Sequence, residues 1–324
     1  MFLRKLSRSF FPLVTAAPLA LGMSLALLGV VHAQPSVIAV DLYNKKVHIE
    51  SGGNVKRPVG GLAEIATALV ALDWSDTTKV GVNVLATVSP QALQAAGANN
   101  LGFQPGDEIT VRDLIYACMM TSDSAAATVL AEFVGGDILQ RRSRRGNPLS
   151  EFVDQMNKLA AREGCTHTRF TTPHGLDVGR SVNTSTAADM ARLTLYALSR
   201  ASFRFYTNQK SRDIAVSRGG QRSTIPLRNT NALLGVGTID GVKTGNSALS
   251  GGCVILTEER PGTMNKQADG RSVVFRHRMV VVVLGSADPF AEGESLLRNG
   301  WDAYDNWLKS GRQVTDRKEL LPYF

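Results

Sequence analysis

Cysteine and histidine are both scarce in this 324-residue chain, which contains three cysteines and five histidines. Three cysteines allow at most one disulfide, and the apolar or compact surroundings of Cys118, Cys165 and Cys253 in the sequence predict small core residues instead. No Cys/His spacing typical of a zinc site occurs, so the sequence predicts neither a metal nor another cofactor. It also contains no recognition motif for nucleic acid and no internal repeat.

The first 33 residues have the pattern of an export signal. Three cations lie among the first eight residues, residues 10–31 are almost wholly apolar, and small residues suitable for cleavage precede Gln34. We therefore expect residues 1–33 to be a signal peptide and the protein to be exported to the periplasm or cell envelope. The alternative is an uncleaved anchor, because the run approaches the ~20 residues that span a bilayer, although two prolines interrupt it.

The charge suits an exported protein but does not identify a partner. Removal of the three cations of the signal lowers the formal charge from +8 to +5, a modest excess near anionic wall or membrane polymers. The densest charge cluster is Arg-Arg-Ser-Arg-Arg at residues 141–145. We interpret it as a solvated loop between helices, with contact to phosphate-rich wall polymer or lipid headgroups as the alternative. Peripheral membrane contact thus stays open, whereas export argues against nucleic acid.

Strand patterns at both ends of the chain enclose a region of helical patterns. Residues 37–42 and 46–50 predict a hairpin, and Leu62 begins an apolar helical face. Thr110 followed by Asp113 predicts a helix start. Further helices are predicted over 124–133, ending near two glycines, and over 152–163, 185–199 and 291–308. Strands are predicted over 241–244, 252–257 and 279–284. A loop is predicted over 258–270. Residues 76–230 are thus predicted to be mostly helical, within a bipartite α/β fold.

Several short motifs occur in a characteristic order. Asn229-Thr230-Asn231 precedes Asp240-Gly241-Val242-Lys243-Thr244-Gly245, and Ser250-Gly251-Gly252-Cys253 follows. Earlier segments are Ser122-Asp123-Ser124, Thr172-Pro173-His174-Gly175-Leu176-Asp177 and the run that begins at Ser185. Over residues 37–307 the chain resembles the serine-type D-alanyl-D-alanine carboxypeptidases, which are low-molecular-mass penicillin-binding proteins that trim peptidoglycan stem peptides.

The resemblance implies a fold and a domain plan. It implies a penicillin-binding-protein/β-lactamase-like α/β fold, with an antiparallel sheet flanked by helices and an all-helical lobe beside it. The expected transpeptidase-like domain covers residues 34–310, with the helical lobe at about 76–230. Residues 311–324 are left as a C-terminal tail.

The motif that carries the nucleophile in this family is missing. Members use a Ser-x-x-Lys pair, in which the serine attacks the D-Ala-D-Ala carbonyl and the lysine takes its proton. No lysine of this chain has a serine three residues before it. Alignment on Pro58 and Ile65 places Gly61 at the position of the nucleophile and Glu64 at that of the lysine.

The remaining site residues follow from the resemblance. It assigns Ser122 and Lys243 to the proton path and the carboxylate anchor, and Ser124, Thr244 and Gly245 to substrate binding, with Ser124 replacing the usual asparagine. The same residues have a plain structural alternative, in which Ser122 caps a helix and residues 243–245 form an edge strand.

Three functional hypotheses follow. Loss of a serine nucleophile costs about 10⁶ in kcat, or roughly 8 kcal/mol. The first hypothesis is therefore an inactive homologue that binds stem peptides or a wall-associated protein; the second is an active carboxypeptidase in which Glu64 activates water; the third is a scaffold with a closed cleft. We also expect Glu64 to contact Lys243, and the contact to lower the pKa of Glu64.

Overall fold

A sheet with buried strands at its centre organises the chain from residue 34 onward. The computed structural model describes residues 34–177, 179, 181–266 and 271–321. The predicted signal peptide lies outside the described residues. The chain from residue 34 onward forms one compact unit.

The main sheet is antiparallel, with the strand order β2-β1-β11-β10-β9. Its strands are β1 (Ser36–Asp41), β2 (Val47–Ser51), β9 (Ile239–Ser247), β10 (Gly251–Lys266) and β11 (Ser272–Ser286). The hairpin predicted over residues 37–50 is thereby confirmed. Because β9 is at the edge, it has only β10 as a neighbour in this sheet.

The two faces of this sheet pack against different helices. Ile38 and Val40 of β1 belong to the main core, whereas Val37 and Ala39 face a second cluster that contains Trp301. This alternation follows from the two-residue period of a strand. The first face packs against α6 (Ala187–Ser199) and against the turn that leads into α1 (Glu64–Thr78), and the second against α8 (Pro289–Lys309).

The region between β2 and β9 contains helices but is not all helical, so the predicted all-helical lobe at about 76–230 needs correction. Its other helices are α2 (Pro90–Ala96), α3 (Val111–Thr121), α4 (Ser124–Arg141), α5 (Pro148–Arg162) and α7 (Ala201–Arg204). Strands β4 (Leu85–Thr87), β5 (Glu108–Thr110), β7 (Ser211–Arg218) and β8 (Gln221–Arg228) form a second sheet there, and β3 (Arg57–Pro58) pairs with β6 (Thr184–Ser185). The Thr110 cap is confirmed, since its side chain accepts a hydrogen bond from the Asp113 amide.

Two predicted boundaries are wrong. Helix α4 continues through Gly135 to Arg141. The glycine at this position serves packing, since a Cβ on Gly135 would lie 2.0 Å from the Pro148 carbonyl oxygen. Residues 258–266 of the predicted loop instead belong to β10, which pairs with β11 as far as Lys266 and Ser272, and residues 267–270 lie outside the described residues. This outer ribbon extends beyond both neighbouring strands, so many of its side chains, including the apolar Met264 and Val274, are exposed.

The last described residues fold back onto the start of the domain. A 3-10 turn at Arg317–Glu319 follows α8, and the Leu321 amide donates to the Lys45 carbonyl at 2.8 Å. Lys46 forms an ion pair with Glu319 at 2.8 Å, and Leu321 is buried. Among the residues that the structure describes, no helix has both the length and the apolar content needed to cross a bilayer. The three cysteines are buried and free, as predicted.

Candidate active site

A tight turn at the start of α1 brings Gly61 against the edge of the main sheet. Residues Gly60–Ala63 form a 3-10 turn, and Gly60 has the left-handed backbone angle φ +50°. A Cβ on Gly60 would lie 2.8 Å from the Ser250 hydroxyl, so a larger residue would not fit. Gly245 has a similar role on the facing strand, because a Cβ there would lie 2.9 Å from the Val59 carbonyl oxygen.

Gly61 is oriented toward the other predicted site residues. A Cβ on Gly61 would lie 3.0 Å from both the Ser122 hydroxyl and the Thr244 carbonyl oxygen, and 3.5 Å from Glu64 Oε2. A serine at this position would therefore extend into the space between α1, the α3–α4 connection and β9. The geometry agrees with the alignment that places Gly61 at the position of the nucleophile.

Ser122 lies in the short connection between α3 and α4. It ends α3 in the left-handed conformation, with φ 52°, and its amide donates to the Cys118 carbonyl at 3.1 Å. Asp123 then caps α4 by accepting from the Ala126 amide, and its second oxygen accepts from the Asn100 amide at 2.9 Å. The cap on α4 is thus Asp123, and Ser122 is held by the turn with its hydroxyl toward β9.

Lys243 lies on β9 and is buried, at 1% exposure. Its ammonium donates to the Ser122 hydroxyl and, at 2.8 Å, to the Thr244 carbonyl. The Glu64 Oε2 atom lies 3.2 Å from the same nitrogen. The predicted contact between Glu64 and Lys243 is therefore present, between two side chains that are both fully buried.

The predicted direction of the Glu64 pKa is wrong. Burial raises the pKa of Glu64 above its ordinary value, and the Lys243 charge, which lowers it, does not compensate fully. Neither Glu64 oxygen has a hydrogen-bond partner of good geometry within the described ranges, although Lys243 and Ser122 lie close enough to lower the pKa in part. An ionised carboxylate with no surface in water is poorly solvated, and this effect is the larger one, so the proton is held more tightly.

The three predicted substrate-binding residues have different surroundings. The Thr244 hydroxyl lies 2.6 Å from that of Thr230, which is exposed, so this pair is at the open side of the site. Gly245 contacts the 3-10 turn, as described above. Ser124 is buried as the first residue of α4, and its carbonyl accepts from Thr128 at 2.7 Å. Direct contacts thus join all the predicted site residues except Ser124, which is linked to Ser122 through Asp123.

Sequence reasoning did not assign a role to the loop at 171–177. A Cβ on Gly175 would lie 2.2 Å from the Gly61 nitrogen, so this loop packs directly on the backbone of the turn. Asn183 holds the loop by accepting from the Thr171 amide at 2.8 Å and donating to the His174 carbonyl at 2.6 Å. The Thr-Pro-His-Gly-Leu-Asp motif was the available signal, but its contact partner lies more than a hundred residues away.

Comparisons with known proteins match the chain to D-alanyl-D-alanine peptidases. The family model described as D-alanyl-D-alanine carboxypeptidase matches residues 30–276. The carboxypeptidases DacF of Bacillus subtilis and DacC of Escherichia coli are 25% and 28% identical to the chain, over 80% and 83% of it. The chain spans only 59% and 61% of their length. The D-alanyl-D-alanine endopeptidase of Escherichia coli is 27% identical over 90% of the chain and 82% of its own length.

Among solved structures, the Streptomyces K15 DD-transpeptidase matches 83% of the chain and 96% of its own length. The TM-score is 0.67 and the identity 22%, so this match bears on the fold alone. A penicillin-binding protein homologue from Mycobacterium tuberculosis, at 24% identity and a TM-score of 0.60, covers 77% of the chain and 81% of its own length. The fold is that of the penicillin-binding DD-peptidases, and the match of the family model over most of the chain shows that the protein belongs to the D-alanyl-D-alanine carboxypeptidase family.

Proposed function

We propose that this protein is a family member that binds peptidoglycan stem peptides in the cell envelope without hydrolysing them. The observation that carries the proposal is the pair of residues at the start of α1. Gly61 offers no nucleophile where its Cβ would point at Ser122, and Glu64 places a carboxylate beside Lys243 where the family has an amine.

The expected loss of rate is large. Without a serine there is no acyl-enzyme step, and the corresponding loss in another serine protease is about 10⁶ in kcat, or roughly 8 kcal/mol. Glu64 cannot replace the family lysine as a partner that takes a proton from a serine, because that serine is absent too. Orientation and backbone donors alone give a small residual rate at most.

Hydrolysis with Glu64 as the base for water is the alternative enzyme. The raised pKa of Glu64 would suit a general base. However, the Glu64 side chain has no exposed surface, and its Oε2 faces Lys243 at 3.2 Å. This route would need the buried pair to open, so we regard it as weaker than the binding function.

Peptide binding is supported by the open side of the site. Strand β9 is the edge of the main sheet, so an extended peptide could pair with its backbone. The Thr230 and Thr244 hydroxyls lie beside this edge and can donate or accept hydrogen bonds. Export, predicted from residues 1–33, would place the protein where stem peptides occur.

Three measurements on the purified protein test the proposal. Incubation with a fluorescent penicillin should give no covalent label, and a stem pentapeptide should release no D-alanine above background. Isolated peptidoglycan should nevertheless sediment the protein. Label or D-alanine release by the wild type would refute the loss of activity.

A matched pair of variants shows whether the cleft is responsible for binding. Thr244→Ala removes a hydroxyl from the open side and should weaken sedimentation with peptidoglycan. Thr238→Ala is the control, because its hydroxyl bonds to Glu258 beside the other end of β9, at 2.6 Å. Equal binding by both variants, or no binding by the folded wild type, would favour the scaffold with a closed cleft.

A further inference from the structure

The ammonium of Lys243 is buried and already has a counter-charge. A lysine ammonium has three N–H donors. Two of them go to the Ser122 hydroxyl and the Thr244 carbonyl, and the Glu64 carboxylate lies 3.2 Å from the same nitrogen. An incoming carboxylate would therefore have to compete with Glu64 for Lys243.

The buried charges around Lys243 do not add up to a positive site. Glu64 lies 3.2 Å from Lys243, and Asp123 directly follows Ser122, whose hydroxyl accepts from Lys243, so the three charged groups form one cluster. All three are buried. With both carboxyl groups ionised, the cluster carries a formal charge of −1, and the amides of Asn100, Leu101 and Ala126 donate to Asp123.

Two neutral hydroxyl groups lie at the open side of the site. Thr230 and Thr244 present hydroxyls that lie 2.6 Å apart, and each can donate to a carbonyl or accept from an amide. Arg228, two residues before Thr230, is exposed at the end of β8. It is the cation to test as a competing anchor for a carboxylate.

We propose that the cleft selects stem peptides whose terminal D-alanine is in amide linkage, as in a cross-link, over peptides that end in a free carboxylate. This inference rests on the proposed peptide binding and specifies the ligand class. Glu64 is the determinant, because it neutralises Lys243 and would repel the ligand's carboxylate. An amide terminus carries no charge and can bond to the threonine hydroxyls.

The test uses two peptides that differ only at the terminus: diacetyl-L-Lys-D-Ala-D-Ala as the free acid and as the C-terminal amide. Isothermal titration of the wild type should give at least about tenfold tighter binding for the amide. In Glu64→Gln the carboxylate charge is gone, so affinity for the acid should rise by about tenfold or more while that for the amide changes little. Glu258→Gln, beside the far end of β9, is the matched control and should leave the ratio unchanged.

The outcomes separate the inference from the proposed function. Acid binding as tight as amide binding in the wild type would overturn the inference and leave peptide binding intact. The same holds if Glu64→Gln leaves the ratio unchanged, or if the acid binds well and Arg228→Ala abolishes that binding. Failure of the folded wild type to bind either peptide would overturn the proposed function itself.

Discussion

Removal of Lys243 should destabilise the protein strongly, because it leaves a buried carboxylate without its counter-charge. Lys243 and Glu64 both have fully buried side chains, and the Lys243 ammonium is the only ion-pair partner of Glu64 within the described ranges. Loss of one member of a buried pair costs about 3–5 kcal/mol. In Lys243→Met the melting temperature should therefore fall by about 6–20 °C, at 2–4 °C per kcal/mol for a domain of this size class.

The loss should also depend on pH with a defined sign. Burial raises the pKa of Glu64 in the folded state, so its contribution to stability is best below the unfolded pKa of about 4.3 and is lost as the pH rises through the folded value. Lys243 opposes this rise in pKa. Without Lys243 the folded pKa goes higher still, and the destabilisation should be greater at pH 8 than at pH 5.

Urea unfolding followed by circular dichroism at both pH values measures these quantities. The double variant Lys243→Met with Glu64→Leu supplies the control, because a buried ion pair replaced by apolar side chains usually keeps or gains stability. It should be about as stable as the wild type and show little of the pH effect. A loss below about 1 kcal/mol in the single variant, or an equal loss at pH 5 and pH 8, would mean that the pair is not closed in solution.

Two further predictions concern glycines at close contacts. The double change Gly61→Ser with Glu64→Lys should restore covalent labelling by fluorescent penicillin. Either single change should not, because the serine nucleophile needs the lysine amine for activation. A folded double variant that takes no label would favour the scaffold hypothesis. Gly135→Ala should cost about 1–3 kcal/mol by urea unfolding, since its Cβ would clash with the Pro148 carbonyl. The neighbouring Gly136→Ala is the control: its Cβ would lie 4.0 Å from the proline ring, so it should stabilise the helix by about 0.5–1 kcal/mol. Equal losses in both variants would contradict the packing argument.

Elements with a strong local pattern could be predicted from the sequence. The first hairpin, the Thr110 cap and helix α8 each depend on neighbouring residues, and the structure has them where the patterns indicate. The middle of α4 could not be predicted, because Gly135 reads locally as a helix end. The helix keeps a glycine at position 135 because the chain at Pro148 packs against it, and the sequence pattern does not show that these two segments are neighbours.

The candidate site depends on contacts that no spacing encodes. Gly61, Ser122 and Lys243 come from three distant segments, and only the resemblance to a family predicted that they converge. The same resemblance could not predict that the side chains of Glu64 and Lys243 are both fully buried. Charge alone predicts a lowered pKa for Glu64, whereas its complete burial reverses the direction. Burial of a particular side chain follows from packing over the whole domain.

The buried pair links stability to the proposed loss of activity in this cleft. A lysine at position 64, as in the family motif, would place a second ammonium close to Lys243, whose donors already serve Ser122 and Thr244. Glu64 turns that like-charge approach into an attraction across 3.2 Å. The same carboxylate removes the amine that would activate a nucleophile and the positive charge that would hold a ligand's carboxylate. Restoring the Ser-x-x-Lys pair therefore requires loss of the buried ion pair between Glu64 and Lys243, which neutralises the charge of Lys243.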